Sequence, residues 1–273
     1  MPYVVSGRHR VFYRRMGEEG PPLIFIHGAW LDHAMWDKQQ RYFSSSFRTV
    51  AYDLGCHGQS HLPAGWPCRV PQWAAELHAL VEALFPDERV YVCGLSLGGM
   101  IAMYWAHHHP DRVRGLLIVD SPIDFSVPWW ATPFYYALSY LLWVLLRLLP
   151  FRRLIGLFFR TLQPMLSPKQ RASGGAFTQY VRQCFERMGK KRWFAVWKAA
   201  MQYRGLSRYQ PPPATGLILG EHDHWFVRWK MRTFARRHQL PLTIIPKAAH
   251  MANIENPAEF NAAAATFLKQ HPA

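Results

Sequence analysis

Three side chains far apart in the chain, Ser96, Asp223 and His250, are of the types needed for nucleophilic acyl transfer. Ser96 lies within Val90-Tyr91-Val92-Cys93-Gly94-Leu95-Ser96-Leu97-Gly98-Gly99-Met100, where a short β-prone run gives way to a helix-like one. Gly94-x-Ser96-x-Gly98 is the pattern of a nucleophile elbow, a strand that turns sharply into a helix with serine at its apex. Such a bend leaves no room for a Cβ two positions either side. It also pushes the hydroxyl out of the sheet, over the positive end of the helix.

A serine hydroxyl near its ordinary pKa is a poor nucleophile and needs a base within hydrogen-bond reach. After an elbow serine, an acid and then a histidine follow in chain order. Gly220-Glu221-His222-Asp223 follows the apolar strand 217–219, and His250 follows the strand 242–245. Both fall at the carboxyl ends of parallel strands, the edge from which Ser96 also emerges. His250 is the expected base, and Asp223 the carboxylate that fixes its tautomer. Asp120, ending the strand 115–119, is the alternative acid. A tetrahedral intermediate needs donors aimed at its oxyanion. The amide of Leu97 is one; that of Ala29, after the strand 23–26, is the simplest second, with Trp30 the alternative. Glu221, His222, His224 and the run His107-His108-His109 read as loop and helix-end residues, not metal ligands.

These residues need a scaffold, and the apolar pattern supplies one. Residues 3–16 read as two strands around Ser6-Gly7-Arg8, followed by strands at 23–26 and 47–52 and a helix over 71–85. The elbow, its helix and the strand 115–119 come next. The alternation stops at Ser121 and resumes at Gly216, continuing through a helix near 225–238, the strand 242–245 and a helix near 257–269. Strands alternating with helices imply an α/β fold, a mostly parallel sheet with helices on both faces. The expected core is 1–120 with 216–273, and 121–215 is an inserted helical cap that rejoins it at Pro211-Pro212-Pro213.

Together these motifs resemble the α/β-hydrolase superfamily, in its lipase, esterase and haloperoxidase-like branch. The matching pieces are His27-Gly28, Asp53 with His57-Gly58-x-Ser60, the elbow with Gly99, Gly220-x-x-Asp223, and His250 with Glu255-x-Pro257 and Phe260. Cys56 departs from the glycine usual at its position. The resemblance covers the chain outside 121–215 and implies a Ser96–His250–Asp223 triad that works without a cofactor. Ser96 argues against the branches whose nucleophile is aspartate. The serine branches include esterases, lactonases, carbon–carbon hydrolases, acyltransferases and cofactor-free perhydrolases. His33-Ala34-Met35-Trp36-Asp37 is similar to the enol-lactonase and carbon–carbon hydrolase group, but is too widely shared to decide.

The expected reaction is cleavage of a small-molecule carboxylic ester with an apolar, acyl-chain substrate. Trp30, Trp129, Trp130 and Tyr136 are the expected aromatic lining of its pocket. The chain's net charge of +15 is concentrated in the cap, where 14 Lys/Arg meet only Asp124 and Glu186. A basic chain invites a nucleic-acid reading. The basic segment is also the most apolar one, which favours contact with an anionic membrane over nucleic acid. The plainer reading stays open: the aromatics pack the cap on the core and the cations form its solvated face. Residues 125–146 carry no charge, yet Pro133 and Pro150 confine the helical run to about 24 Å at 1.5 Å per residue, short of a bilayer core. A single span would also separate Ser96 from Asp223 and His250. The N-terminus does not read as a signal peptide, and the four cysteines show no dense framework, which predicts a cytoplasmic, membrane-associated or free, location.

Overall fold

The apolar runs pair into one sheet. A computed structural model describes residues 2–6, 9–61, 68–126, 129–162, 176–206 and 209–272. The strands are β1 (Tyr3–Ser6), β2 (His9–Met16), β3 (Pro22–Ile26), β4 (Arg48–Tyr52), β5 (Val90–Leu95), β6 (Val113–Val119), β7 (Thr215–Gly220) and β8 (Leu242–Ile245). They lie in the order β1-β2-β4-β3-β5-β6-β7-β8. β2 pairs antiparallel with both of its neighbours, β1 and β4, and all the other pairs are parallel. β3, β5 and β7 are buried at every position, as central strands covered on both faces must be. The Gly7-Arg8 turn expected between β1 and β2 lies outside the described residues.

Helices α1 (Asp37–Phe43), α2 (Val70–Leu84), α3 (Leu97–His108), α7 (Trp225–His238), α8 (Ala252–Glu255) and α9 (Pro257–Gln270) flank the sheet. Trp36, just ahead of α1, stacks on Phe25 of β3 at 4.9 Å and meets Phe260 of α9 at 6.0 Å. Between β6 and β7 the chain leaves the sheet as α4 (Thr132–Leu148), α5 (Phe151–Leu162) and α6 (Ala176–Gln202), the last kinked at Gly189. This is the α/β-hydrolase fold with a helical insert.

The parallel strands set their carboxyl ends along one edge. Leu95 is paired with Val119, Val119 with Ile218, and Gly220 with Ile245. Ser96, Asp120 and the loops carrying Asp223 and His250 therefore begin side by side.

The cysteines depart from expectation. Cys56 and Cys68 are joined by a disulfide, and Cys93 and Cys184 are free and buried. Cys56 has φ +73°, in the left-handed region that favours glycine, and the cross-link returns the chain from the start of α2 to that turn. A structural disulfide belongs to oxidising surroundings, which removes the cysteine argument for a reducing compartment.

Candidate active site

Ser96 sits at φ +54° and ψ −113°, a strained conformation for any residue with a side chain. The surroundings hold it there. Its amide donates to Val119 O at 2.9 Å, and its carbonyl accepts from Gly99 N at 3.0 Å and from Ser121 Oγ at 2.9 Å. The two glycines of the elbow are sterically required. A Cβ on Gly94 would meet Gly98 O at 2.3 Å, and one on Gly98 would meet Ile26 O at 2.3 Å.

From this apex the Ser96 hydroxyl donates to Nε2 of the neutral His250 imidazole at 3.1 Å, and His250 Nδ1–H donates to Asp223 Oδ1 at 2.9 Å. The imidazole tautomer follows from its neighbours, because a carboxylate can only accept. Burial alone would depress the His250 pKa. The Asp223 carboxylate beside it, helped by Asp120 and Glu255, prevails and raises it to about 9.

Asp120 is placed elsewhere. It is fully buried, accepting from Gly220 N at 2.7 Å and Ala252 N at 3.0 Å. Burial and the adjacent Asp223 push its carboxyl well above the usual carboxylate range. Asp120 thus ties the end of β6 to the turns that carry Asp223 and His250. Glu255 works similarly, accepting from Ala249 N and Met251 N on either side of His250. The sequence names Asp223 as the acid and Asp120 as the alternative; in the structure it is Asp223 that faces the imidazole.

The opposite flank of Ser96 is built from two loops that brace each other. His27, in the loop after β3, donates from Nδ1 to Gly28 O and accepts at Nε2 from Leu54 N at 3.0 Å. His57, in the loop after β4, donates from Nδ1 to Gly55 O and accepts at Nε2 from Trp30 N at 3.1 Å. Burial lowers both imidazoles, His57 to about 3, so both are neutral fixtures at physiological pH. Asp53 accepts from the amide and ring of His33 and from Gln59 N, and it leaves no room for a Cβ on Gly58. The motif Asp53…His57-Gly58-x-Ser60 is therefore scaffolding. His33, the first residue of the run 33–37, clamps Asp53.

Because the Trp30 amide is spent on His57, it is not a free donor for a substrate oxygen. Leu97 opens α3, where the first amides have no partner in a preceding turn. Ala29 lines the cavity beside Ser96, and Leu97 directly follows Ser96 in the chain.

A cavity of about 190 Å³ opens beside Ser96 and His250. Its apolar wall comes from Trp30, Leu31, Phe158, Val181, Phe185 and Met251. Trp30 stacks on Trp193 of α6 at 4.8 Å and donates its indole N–H to Trp193 O. Asp32, nearby, accepts from Tyr180 and Arg187 of the same helix. The insert is thus fastened to the loop that holds Ala29.

The other expected lining residues are corrected. Trp129 and Trp130 are 86% and 64% exposed and do not line this cavity. Tyr136 lines a separate cleft of about 300 Å³ between α4 and α6. The pocket aromatics come instead from α5 and α6, Phe158 and Phe185. In the sequence these look like any other aromatic of the insert, and only helix packing separates them.

Fold and site define a class, and comparison with known proteins agrees. The chain belongs to the Alpha/beta hydrolase family, whose profile matches residues 23–263. It is similar to the 3-oxoadipate enol-lactonase 2 of Acinetobacter baylyi, 30% identical over 110 residues, 40% of either chain. It is also similar to a pimeloyl-(acyl-carrier protein) methyl ester esterase of Vibrio cholerae, 32% identical over 117 residues, 42% of each. The chain thus spans about two fifths of the length of these curated relatives. Among solved structures, a thermophilic esterase from Thermogutta terrifontis superposes with a TM-score of 0.80 at 22% identity, covering 98% of this chain and 97% of the other. That likeness speaks for the fold.

Proposed function

We propose that this chain is a serine hydrolase that cleaves a carboxylic ester with a small apolar acyl group, through an acyl-enzyme. The single observation that carries the reading is the hydrogen-bonded line from Ser96 through His250 to Asp223, opening onto an apolar cavity. In this reading His250 takes the hydroxyl proton as Ser96 Oγ attacks the ester carbonyl. The amides of Ala29 and Leu97 hold the oxyanion. His250 returns the proton to the leaving alkoxide, the C–O bond breaks, and the acyl group remains on Ser96. Water, deprotonated by the same imidazole, then releases the acid.

The cavity, below the roughly 300–1,000 Å³ typical of sites for drug-sized ligands, favours a short acyl group over a long chain. A cyclic ester is the second reading, because one relative is an enol-lactonase. Acyl transfer to an alcohol or to peroxide would use the same acyl-enzyme, and product analysis with those acceptors present separates it from hydrolysis.

The test is covalent. An organophosphonate serine reagent should label the protein and inactivate it, and Ser96→Ala should take no label and lose hydrolysis of a panel of esters and lactones. Hydrolysis surviving in Ser96→Ala discards the mechanism, and the panel identifies the acyl length.

A further inference from the structure

Helix α4 is apolar on two sides. Its inner side packs on α6, where the Tyr135 hydroxyl donates to Met201 O and Trp143 meets Phe194 edge-on. Its outer side carries Phe134, Leu138, Leu141, Leu145 and Leu148, spaced four, three, four and three apart, so they form one stripe. All five are between 53% and 77% exposed. A helix that is hydrophobic all round is normally buried all round. No charged side chain interrupts the helix before Arg147.

The surroundings say what covers it. Just beyond α4, Arg152 and Arg153 of α5 are exposed, as is Arg160 at its end. Trp129 and Trp130 stand exposed ahead of it. The aromatic surface continues onto α7. The Arg204 guanidinium lies over Tyr135 and Tyr136 and donates to Phe125 O; the Phe125 ring stacks on Phe226, which adjoins exposed Trp225 and Trp229. Leucines bordered by tryptophan, tyrosine and arginine are the composition of a helix lying in a bilayer interface. A second copy of the chain fits worse. A symmetric contact through α4 would set two strongly basic inserts, each with 14 Lys/Arg against two acids, face to face. No helix among the described residues is long and apolar enough to cross a membrane, so α4 lies on the surface.

We infer that the outer face of α4, with the flanking arginines of α5 and the exposed tryptophans of α7, docks the protein onto an anionic lipid bilayer. α7 begins two residues after Asp223, so docking turns the active-site edge of the sheet toward the lipid.

The test is co-sedimentation of the whole chain with phosphatidylcholine vesicles, with and without phosphatidylglycerol. Binding should be strong only with the anionic lipid and should weaken as salt rises. Arg152→Ala/Arg153→Ala should weaken binding to the mixed vesicles about thirtyfold, at roughly 1 kcal/mol per charge near the surface. Leu138→Asn/Leu145→Asn should weaken it by on the order of tenfold per leucine. Both variants should hydrolyse a short water-soluble ester like the parent, and Ser96→Ala should bind vesicles like the parent. Loss of ester hydrolysis in the parent would therefore strike the proposed function and leave docking standing. Vesicle binding unchanged in the leucine variant overturns docking. So does a concentration-dependent dimer, seen by sedimentation velocity and abolished by the same leucine changes, which would assign the face to a second copy.

Discussion

The two flanks of Ser96 use the same side chain in opposite ways. On the side of β7 and β8, His250 faces a carboxylate and its pKa is raised to about 9. On the side of β3 and β4, burial lowers His27 and His57, the latter to about 3, and each bridges a backbone carbonyl and a backbone amide. An imidazole beside a charge can carry a proton. One between neutral peptide groups has both nitrogens committed and serves as a cross-brace. In the proposed mechanism the first flank moves the proton and the second holds the geometry.

The largest test of that division compares the two buried aspartates of the first flank. Asp223→Asn removes the charge facing His250 and, by analogy with other triads, should lower kcat about 10⁴-fold. Asp120→Asn should act mainly on the fold. It replaces an acceptor of two amides with a group that can satisfy only one, at about 1–3 kcal/mol of stability. Steady-state kinetics with parallel urea melts separate the two. The reverse pattern would make Asp120 the acid.

A pH profile gives the next effect in size. A general base must be neutral, so an imidazole held near pH 9 leaves only about 1% of free enzyme competent at pH 7. kcat/KM should climb about tenfold per pH unit between 7 and 9, then level off. The stability effect has the opposite sign. A His pKa raised on folding stabilises fully below about 6.5 and ceases to contribute above about 9, so Tm should fall across that window. Asp223→Asn should move the kinetic limb to lower pH, because burial then dominates. A parent limb near 6.5 would show that Asp223 does not govern the imidazole.

Much of this division was legible in the residues themselves. The elbow could be read because Gly94 and Gly98 have no alternative where a Cβ would strike backbone at 2.3 Å. Ser96, Asp223 and His250 could be placed together because parallel strands bring their carboxyl ends to one edge. What could not be read depends on side-chain direction rather than order along the chain. Asp120 was legible only as the second choice of acid, and that it accepts from Gly220 N and Ala252 N was not. Trp129, Trp130 and Tyr136 share their composition with Phe158 and Phe185, and the helix faces chosen by packing decide which of them meet the cavity. The Cys56–Cys68 bond was missed because a separation of 12 residues has no metal or framework signature.

The smallest effect belongs to the second flank and bears on it alone. His57→Ala frees the Trp30 amide and leaves Gly55 O only its bond from the Trp73 indole, loosening the loop that holds Ala29. No proton carrier is lost. kcat should fall by on the order of ten- to a hundredfold, below the 10²–10³ of deleting an oxyanion donor outright. The kinetic limb near pH 9 should stay where it is. His57→Gln can still accept from the Trp30 amide and donate to Gly55 O, so it should recover most of the loss. A limb that shifts in His57→Ala would mean that the second flank also handles protons, and the contrast between the two sides of Ser96 would fail.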